Sequence, residues 1–167
     1  MKTLKELIEE HKANINDEIQ ICIDNSDDWR VKEPSFYWIN MNSFESHEEF
    51  LQFWHAINSV CDWFIADTCG ISRNISVLSD EFKKYLELCE NYDLETVQAY
   101  ADEYLSLDDF EDSYQGDYND FEEFAEQIFR DCYDIPERLE YYIDWKAVAH
   151  DMAYDYTMIG RSVFANY

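Results

Sequence analysis

Glycine and proline are almost missing from this chain, with three of one and two of the other in 167 residues. That scarcity excludes glycine-rich phosphate cradles, and no GxxxxGK[ST], GxGxxG or GxSxG motif occurs. Basic residues are also few: 12 Lys and Arg stand against 38 Asp and Glu, for a formal net charge of -26. A surface this negative repels phosphate backbones and anionic headgroups, which argues against direct binding to nucleic acid or a membrane surface. No apolar run approaches the roughly 20 residues of a membrane span. The N-terminal residues Met1, Lys2, Thr3, Leu4, Lys5 and Glu6 do not form the apolar stretch of a secretory signal, so a cytoplasmic location is expected. The five cysteines, Cys22, Cys61, Cys69, Cys89 and Cys132, are odd in number and widely spaced. Without a CxxC pair or zinc-type spacing, they read as buried free thiols in a reducing compartment.

The four histidines, His11, His47, His55 and His150, form no HxxxH or HExxH pattern. His47, ahead of two glutamates in a first helical turn, reads as a solvated surface histidine and not as a ligand. Carboxylate pairs abound, but glycosidase chemistry needs two carboxyls in one cleft with divergent pKa values. No catalytic residue, metal site or cofactor is expected. Calcium merits a separate test over residues 108–117. Anchoring Gly116 at the sixth position of an EF-hand loop puts Glu111, Ser113 and Gln115 at positions 1, 3 and 5, and Glu122 at position 12. The first ligands are wrong and the second half is helical in pattern, so the stretch does not read as a calcium loop.

What the chain does have is apolar and aromatic content: 47% hydrophobic residues, with 13 Tyr, 11 Phe and 5 Trp. That is too much for a disordered acidic tail, so the chain folds. Its charge is unevenly spread. Residues 101–167 hold 18 acids and four bases, and residues 85–129 hold 15 acids and no base at all. Ordinary surfaces mix both signs, because opposite charges at i,i+4 support a helix and like charges weaken it. Carboxylates three or four apart on a helix lie about 5–6 Å from each other, near the spacing of successive phosphates. Two readings of this acidity stay open: a DNA-like field offered to a protein with a basic groove, or acidity for solubility.

The elements follow from periodicity. Leu4, Leu7 and Ile8, with Ile15 beyond, suggest a short N-terminal helix. Residues 19–23 alternate as a strand, and residues 35–40 are β-prone. Ser46 and Glu49 form a capping box ahead of Phe50, Phe53, Trp54 and Ile57 at helical spacing. Residues 62–66 fit a strand or a helical turn. Ser79 caps a helix carrying Phe82, Tyr85, Leu86 and Cys89; Leu94, Val97, Ala101, Tyr104 and Leu105 give the next. Phe121, Phe124, Ala125, Ile128, Phe129 and Cys132 form one apolar stripe. Pro136 opens a short helix, Asp144 caps another through Met152, and residues 156–159 and 162–164 pair across a Gly160-Arg161 type II′ turn.

In the last third, Phe110-Glu111-Asp112-Ser113-Tyr114-Gln115-Gly116-Asp117-Tyr118, then Phe121-Glu122-Glu123-Phe124-Ala125, resembles the ArdA antirestriction family. Ile135-Pro136-Glu137-Arg138-Leu139-Glu140-Tyr141-Tyr142-Ile143-Asp144-Trp145, running into Ala149-His150-Asp151-Met152, is similar too, as are Val163-Phe164 and, upstream, Asp62-Trp63-Phe64-Ile65-Ala66-Asp67. The resemblance covers residues 60–167; the family's opening strand is not evident before residue 40. It implies an elongated α+β fold of small helix and sheet modules in series, shaped as a mimic of B-form DNA. Its three parts would span residues 1–66, divergent from the family, 67–105, and 106–167, the last serving homodimerisation. It further implies a mobile-element protein whose partner is a type I restriction-modification enzyme, held through its DNA-binding groove. Carried over by position, the phosphate-mimic candidates are Asp109, Glu111, Asp112, Asp117, Asp120, Glu122, Glu123 and Glu126. The alternatives are a mimic aimed at another DNA-binding defence system, such as an anti-CRISPR, and an acidic interaction protein for basic clients.

Overall fold

The computed structural model describes residues 3–26, 35–104 and 106–166, so the expectation for Leu105 lies outside the described residues. The chain forms two compact units, Met1–Gln98 and Ala99–Tyr167. Both units mix helices with one small antiparallel sheet, and the fold class is α+β.

The first unit opens with helix α1, Leu4–Glu10. Thr3 and Glu6 satisfy each other's amides in a reciprocal capping box that the periodicity did not reveal. Ile15 takes no part in that helix and is 97% exposed. Strands β1 (Gln20–Asp24), β2 (Phe36–Asn40) and β3 (Phe64–Cys69) form a sheet in the order β2-β1-β3. The segment 62–66, open between strand and turn in sequence, therefore belongs largely to β3. The outer edge of β2 is capped by chain from the loop after α1: the amide of Ala13 donates to Trp38 O and that of Asn40 to His11 O. Covering an edge in this way removes a template for unwanted strand pairing.

Ile21, Ile23 and Ile39 are fully buried on one face of this sheet. Helix α2 (His47–Asn58) contributes Phe50, Phe53 and Ile57 to the same core, and helix α3 (Asp80–Asn91) contributes Phe82, Tyr85 and Leu88. His47 corrects the expectation of a solvated histidine. It is buried against Phe50 and Phe82, and its Nε2 lies 2.9 Å from Val77 O. That contact places the proton on Nε2 and supplies the partner a buried imidazole needs. Ser79 stands at the start of α3 but makes no side-chain cap; its hydroxyl donates to Ser76 O instead.

Helix α4, Leu94–Glu103, follows. The second unit then comprises α5 (Phe110–Ser113), β4 (Tyr114–Asp117), α6 (Phe121–Cys132), α7 (Glu137–Glu140), α8 (Trp145–Met152), β5 (Tyr156–Ile159) and β6 (Ser162–Ala165). Its sheet runs β4-β6-β5, all antiparallel. The β5–β6 turn has Gly160 at φ 63°, and no non-glycine residue among those described has positive φ. A type I′ turn would require it at Arg161 as well, so the II′ expectation fits.

Phe164 centres this core, with ring centroids 4.7 Å from Tyr100, 5.4 Å from Phe110 and 5.6 Å from Tyr114. Phe124 plays the same part under α6, against Tyr118, Phe121 and Tyr156. Each such pair adds about 0.5–1.5 kcal/mol beyond area burial. The α6 stripe is narrower than its pattern: Phe124 and Ala125 are buried, Phe121, Ile128 and Phe129 half-buried, and Cys132 exposed. All five cysteines are free, but only Cys22 and Cys61 are buried; Cys69 and Cys132 face solvent, contrary to expectation. Spacing alone does not distinguish an exposed thiol at an element's end from a buried one.

Gly70, with φ 67°, lies so close to the backbone that a Cβ would sit 2.0 Å from Glu18 O. Gly160 has nearly the same φ and open space around it. Gly160→Ala is expected to cost about 1 kcal/mol, the left-handed penalty alone. Gly70→Ala, adding a backbone clash, is expected to cost at least about 3 kcal/mol. Paired denaturant unfolding curves measure the difference; equal midpoints would contradict the close approach.

Candidate functional site

The acidic segment 108–126 is built on α5, β4 and the first turns of α6. Phe110, fully buried, roots α5 in the core, which leaves Asp109, Glu111 and Asp112 on the exposed side. Ser113 is buried, and its hydroxyl donates to Phe110 O. It is therefore turned away from solvent, and the stretch tested for calcium folds as helix and strand. Gly116, at φ 114°, carries a register shift in β4, with Tyr114 opposite Phe164 and Gly116 opposite Val163. The shift ends at Asp117, whose Oδ1 accepts from Ser162 Oγ at 2.6 Å.

The start of α6 is more constrained. Asp120 is the N-cap, and its Oδ1 accepts from the Glu123 amide at 2.9 Å. Glu123 in turn accepts from the Asn119 amide at 2.7 Å and from Asn119 Nδ2 at 2.8 Å. Helix α2 starts with the same device one module earlier: Ser46 Oγ accepts from the Glu49 amide, and Glu49 accepts from the Glu45 amide. In both, the glutamate at the third position of the first turn satisfies the residue before the cap and not the cap itself. This is the capping box displaced by one residue, with the carboxylate still facing the positive helix end.

Glu126 forms an ion pair with Arg130, whose guanidinium also reaches Glu140 at 3.4 Å. The first base after the base-free stretch is thus shared between two carboxylates. Glu111 and Glu122 are exposed and make no hydrogen bond or ion pair among the described residues. Asp120 and Glu122 line an open groove with Phe121, Lys146, His150 and Tyr156. All eight predicted site residues lie in the second unit, on neighbouring elements. Asp117, Asp120, Glu123 and Glu126 carry local contacts of their own, which acid spacing did not disclose. No group of three or more His, Cys, Asp or Glu is placed to hold a metal ion among the described residues.

The negative field is felt by the tyrosines beneath it. Burial raises Tyr118, and the charges of Asp131 and Glu123 raise it further. Tyr100 is raised by burial, opposed by its hydrogen bond with Ser113 and assisted by Asp109.

The chain is thus an acidic α+β scaffold whose charges are held at defined positions, and its sequence matches a family model describing antirestriction proteins over residues 21–164. The chain belongs to that family, ArdA. The match begins in β1 and so takes in residues 21–59, upstream of the segments that carried the resemblance. No individually curated protein matches the sequence. No helix among the described residues is long and apolar enough to cross a membrane.

Two outcomes follow. Asp120→Ala removes a cap acceptor and is expected to lower stability by about 1 kcal/mol, whereas Asp120→Asn keeps an acceptor and stays within a few tenths. Equal losses would remove Asp120 from the cap. For Tyr118, a raised folded pKa means the folded state holds its proton longer than the unfolded chain. Its contribution is complete below the unfolded value near 10 and is lost as pH rises through the folded one. Unfolding free energy should therefore fall above about pH 10, less steeply in Tyr118→Phe.

Proposed function

We propose that this chain inhibits a type I restriction-modification enzyme by occupying its DNA-binding groove as a mimic of B-form DNA, without catalysis of its own. The observation that carries the reading is the run of 15 acids and no base over residues 85–129, joined to membership of an antirestriction family. B-DNA presents a regular array of negative charge along each strand, and carboxylates three or four apart on a helix, about 5–6 Å from each other, lie near the spacing of successive phosphates on one strand. In this reading Asp109, Glu111, Asp112, Asp117, Asp120, Glu122, Glu123 and Glu126 stand in for phosphates, and the enzyme's Lys and Arg side chains meet them. The working form is a cytoplasmic homodimer joined through residues 106–167. Exposed Tyr133, Leu139, Tyr141, Tyr142 and Tyr154 support self-association there, since exposed apolar and aromatic clusters favour burial between copies.

A mimic must compete with its original. Inhibition of DNA cleavage by a purified type I enzyme should be relieved by added duplex DNA, and affinity should fall by about 100-fold or more between 50 and 200 mM salt. Affinity that is flat in salt and indifferent to duplex DNA would overturn the reading.

The same assay separates a distributed array from a single site. Glu122→Gln or Asp120→Asn alone is expected to change potency by less than about threefold, because each removes one screened contact. Neutralising all eight residues as amides is expected to reduce potency by more than about 100-fold while the fold persists, as followed by circular dichroism. One carboxylate indispensable by itself would contradict the distributed mechanism.

A further inference from the structure

The sheet of the first unit has two unlike faces. Ile21, Ile23 and Ile39 occupy the core face, so the alternate residues of β1 point the other way. Register fixes their neighbours, because residues directly opposite in antiparallel strands share a face. Asp24 of the central strand stands between Phe36 on β2 and Phe64 on β3. One pair further along, Cys22 stands between Trp38 and Asp67. This face therefore reads ring, carboxylate, ring in one row, and ring, thiol, carboxylate in the next.

Two further observations agree with that placement. The Cys22 thiol is pushed up by burial first, then by the charges of Asp24 and Asp67, so both carboxylates flank it in space. The rings are exposed: Phe36 is 68% accessible and Phe64 37%. The carboxylates are steadied by local amides, Asp24 Oδ1 by Ser26 and Asp67 Oδ1 by Thr68.

We propose that this face binds arginine side chains of a basic protein segment, each guanidinium stacking on Phe36 or Phe64 while it donates to Asp24. Strands lie about 4.8 Å apart, so a carboxylate one strand from each ring is within reach of a guanidinium lying on that ring. Arginine is planar, stacks on aromatic faces and forks onto a carboxylate; a lysine ammonium does not combine these. Charge complementarity selects this occupant over the others. An apolar partner would desolvate the Asp24 charge with only the Ser26 amide to compensate it and no cation, which is unfavourable. A second copy of this chain would bring another net -26 against the same carboxylates. The inference rests on the reading that the partner is a protein with a basic groove. It adds a contact that discriminates arginine from lysine and resists salt better than the carboxylate array alone.

The test uses the full chain and two peptides of equal length and charge, one arginine-based and one lysine-based, titrated by calorimetry at about 0.3 M salt. The arginine peptide is expected to bind about tenfold more tightly. That preference should vanish in the Phe36→Leu/Phe64→Leu variant, which keeps apolar bulk and removes the rings. Equal affinity of the two peptides, or a preference that survives in the variant, overturns the proposal. So does a variant that differs from the parent in oligomeric state by light scattering, since the face would then join copies. Should the variant not fold, Asp24→Asn with amide chemical-shift mapping replaces it. Shifts at residues 36–38 and 64 with the arginine peptide, reduced by the substitution, support the face; their absence overturns it. Arginine preference without any inhibition of restriction would refute the proposed function and leave this surface standing. Inhibition without the preference would do the reverse.

Discussion

Self-repulsion governs this molecule. With 38 acids and 12 bases, compaction brings like charges together at every step, and net charge of this size opposes the folded state. The structure answers by concentrating cohesion in aromatic clusters. Phe164 and Phe124 gather tyrosines and phenylalanines around themselves in the second unit. Phe50, Phe82 and Tyr85, each almost completely buried, do the same in the first. Rings bring large apolar area on few residues, which leaves most of the surface available for charge.

The acids are not merely tolerated. Where a carboxylate faces the first turn of a helix it meets the positive end of the peptide dipole. Glu6, Glu49, Asp120 and Glu123 all occupy such positions with hydrogen bonds to backbone amides. Part of the negative charge is thereby coupled favourably to secondary structure. The same residues still present charge outward, so holding a helix end and presenting a field are compatible tasks for one side chain.

Much of the fold was legible because its signals are periodic. The α2, α3, α4 and α6 patterns, the β1 alternation and the Gly160 turn all rest on short-range rules. His47 looked solvated because its sequence neighbours are glutamates, but which way N1 of a helix faces depends on Phe82 and Val77, some 30 residues on. Cys132 continued a stripe that the helix does not bury to its end. The strand β4 and helix α5 were hidden because an acid-rich stretch with a glycine has no clear period. For the candidate residues, sequence gave their positions by resemblance; their partners, Ser162 for Asp117 and Arg130 for Glu126, are tertiary or local geometry that no spacing rule encodes.

The displaced capping boxes have a consequence for how sequences of this kind can drift. A carboxylate that only contributes to a field can move by a residue, or exchange Asp for Glu, with little change in the potential a few ångströms away. One that accepts from a helix amide cannot, because side-chain length and position decide whether the oxygen reaches the nitrogen. Glu111 and Glu122 belong to the first kind, Asp120 and Glu123 to the second. Related chains could therefore scatter most of their acids freely while keeping a few fixed at helix starts, so that low sequence similarity and a shared charge distribution coexist without contradiction.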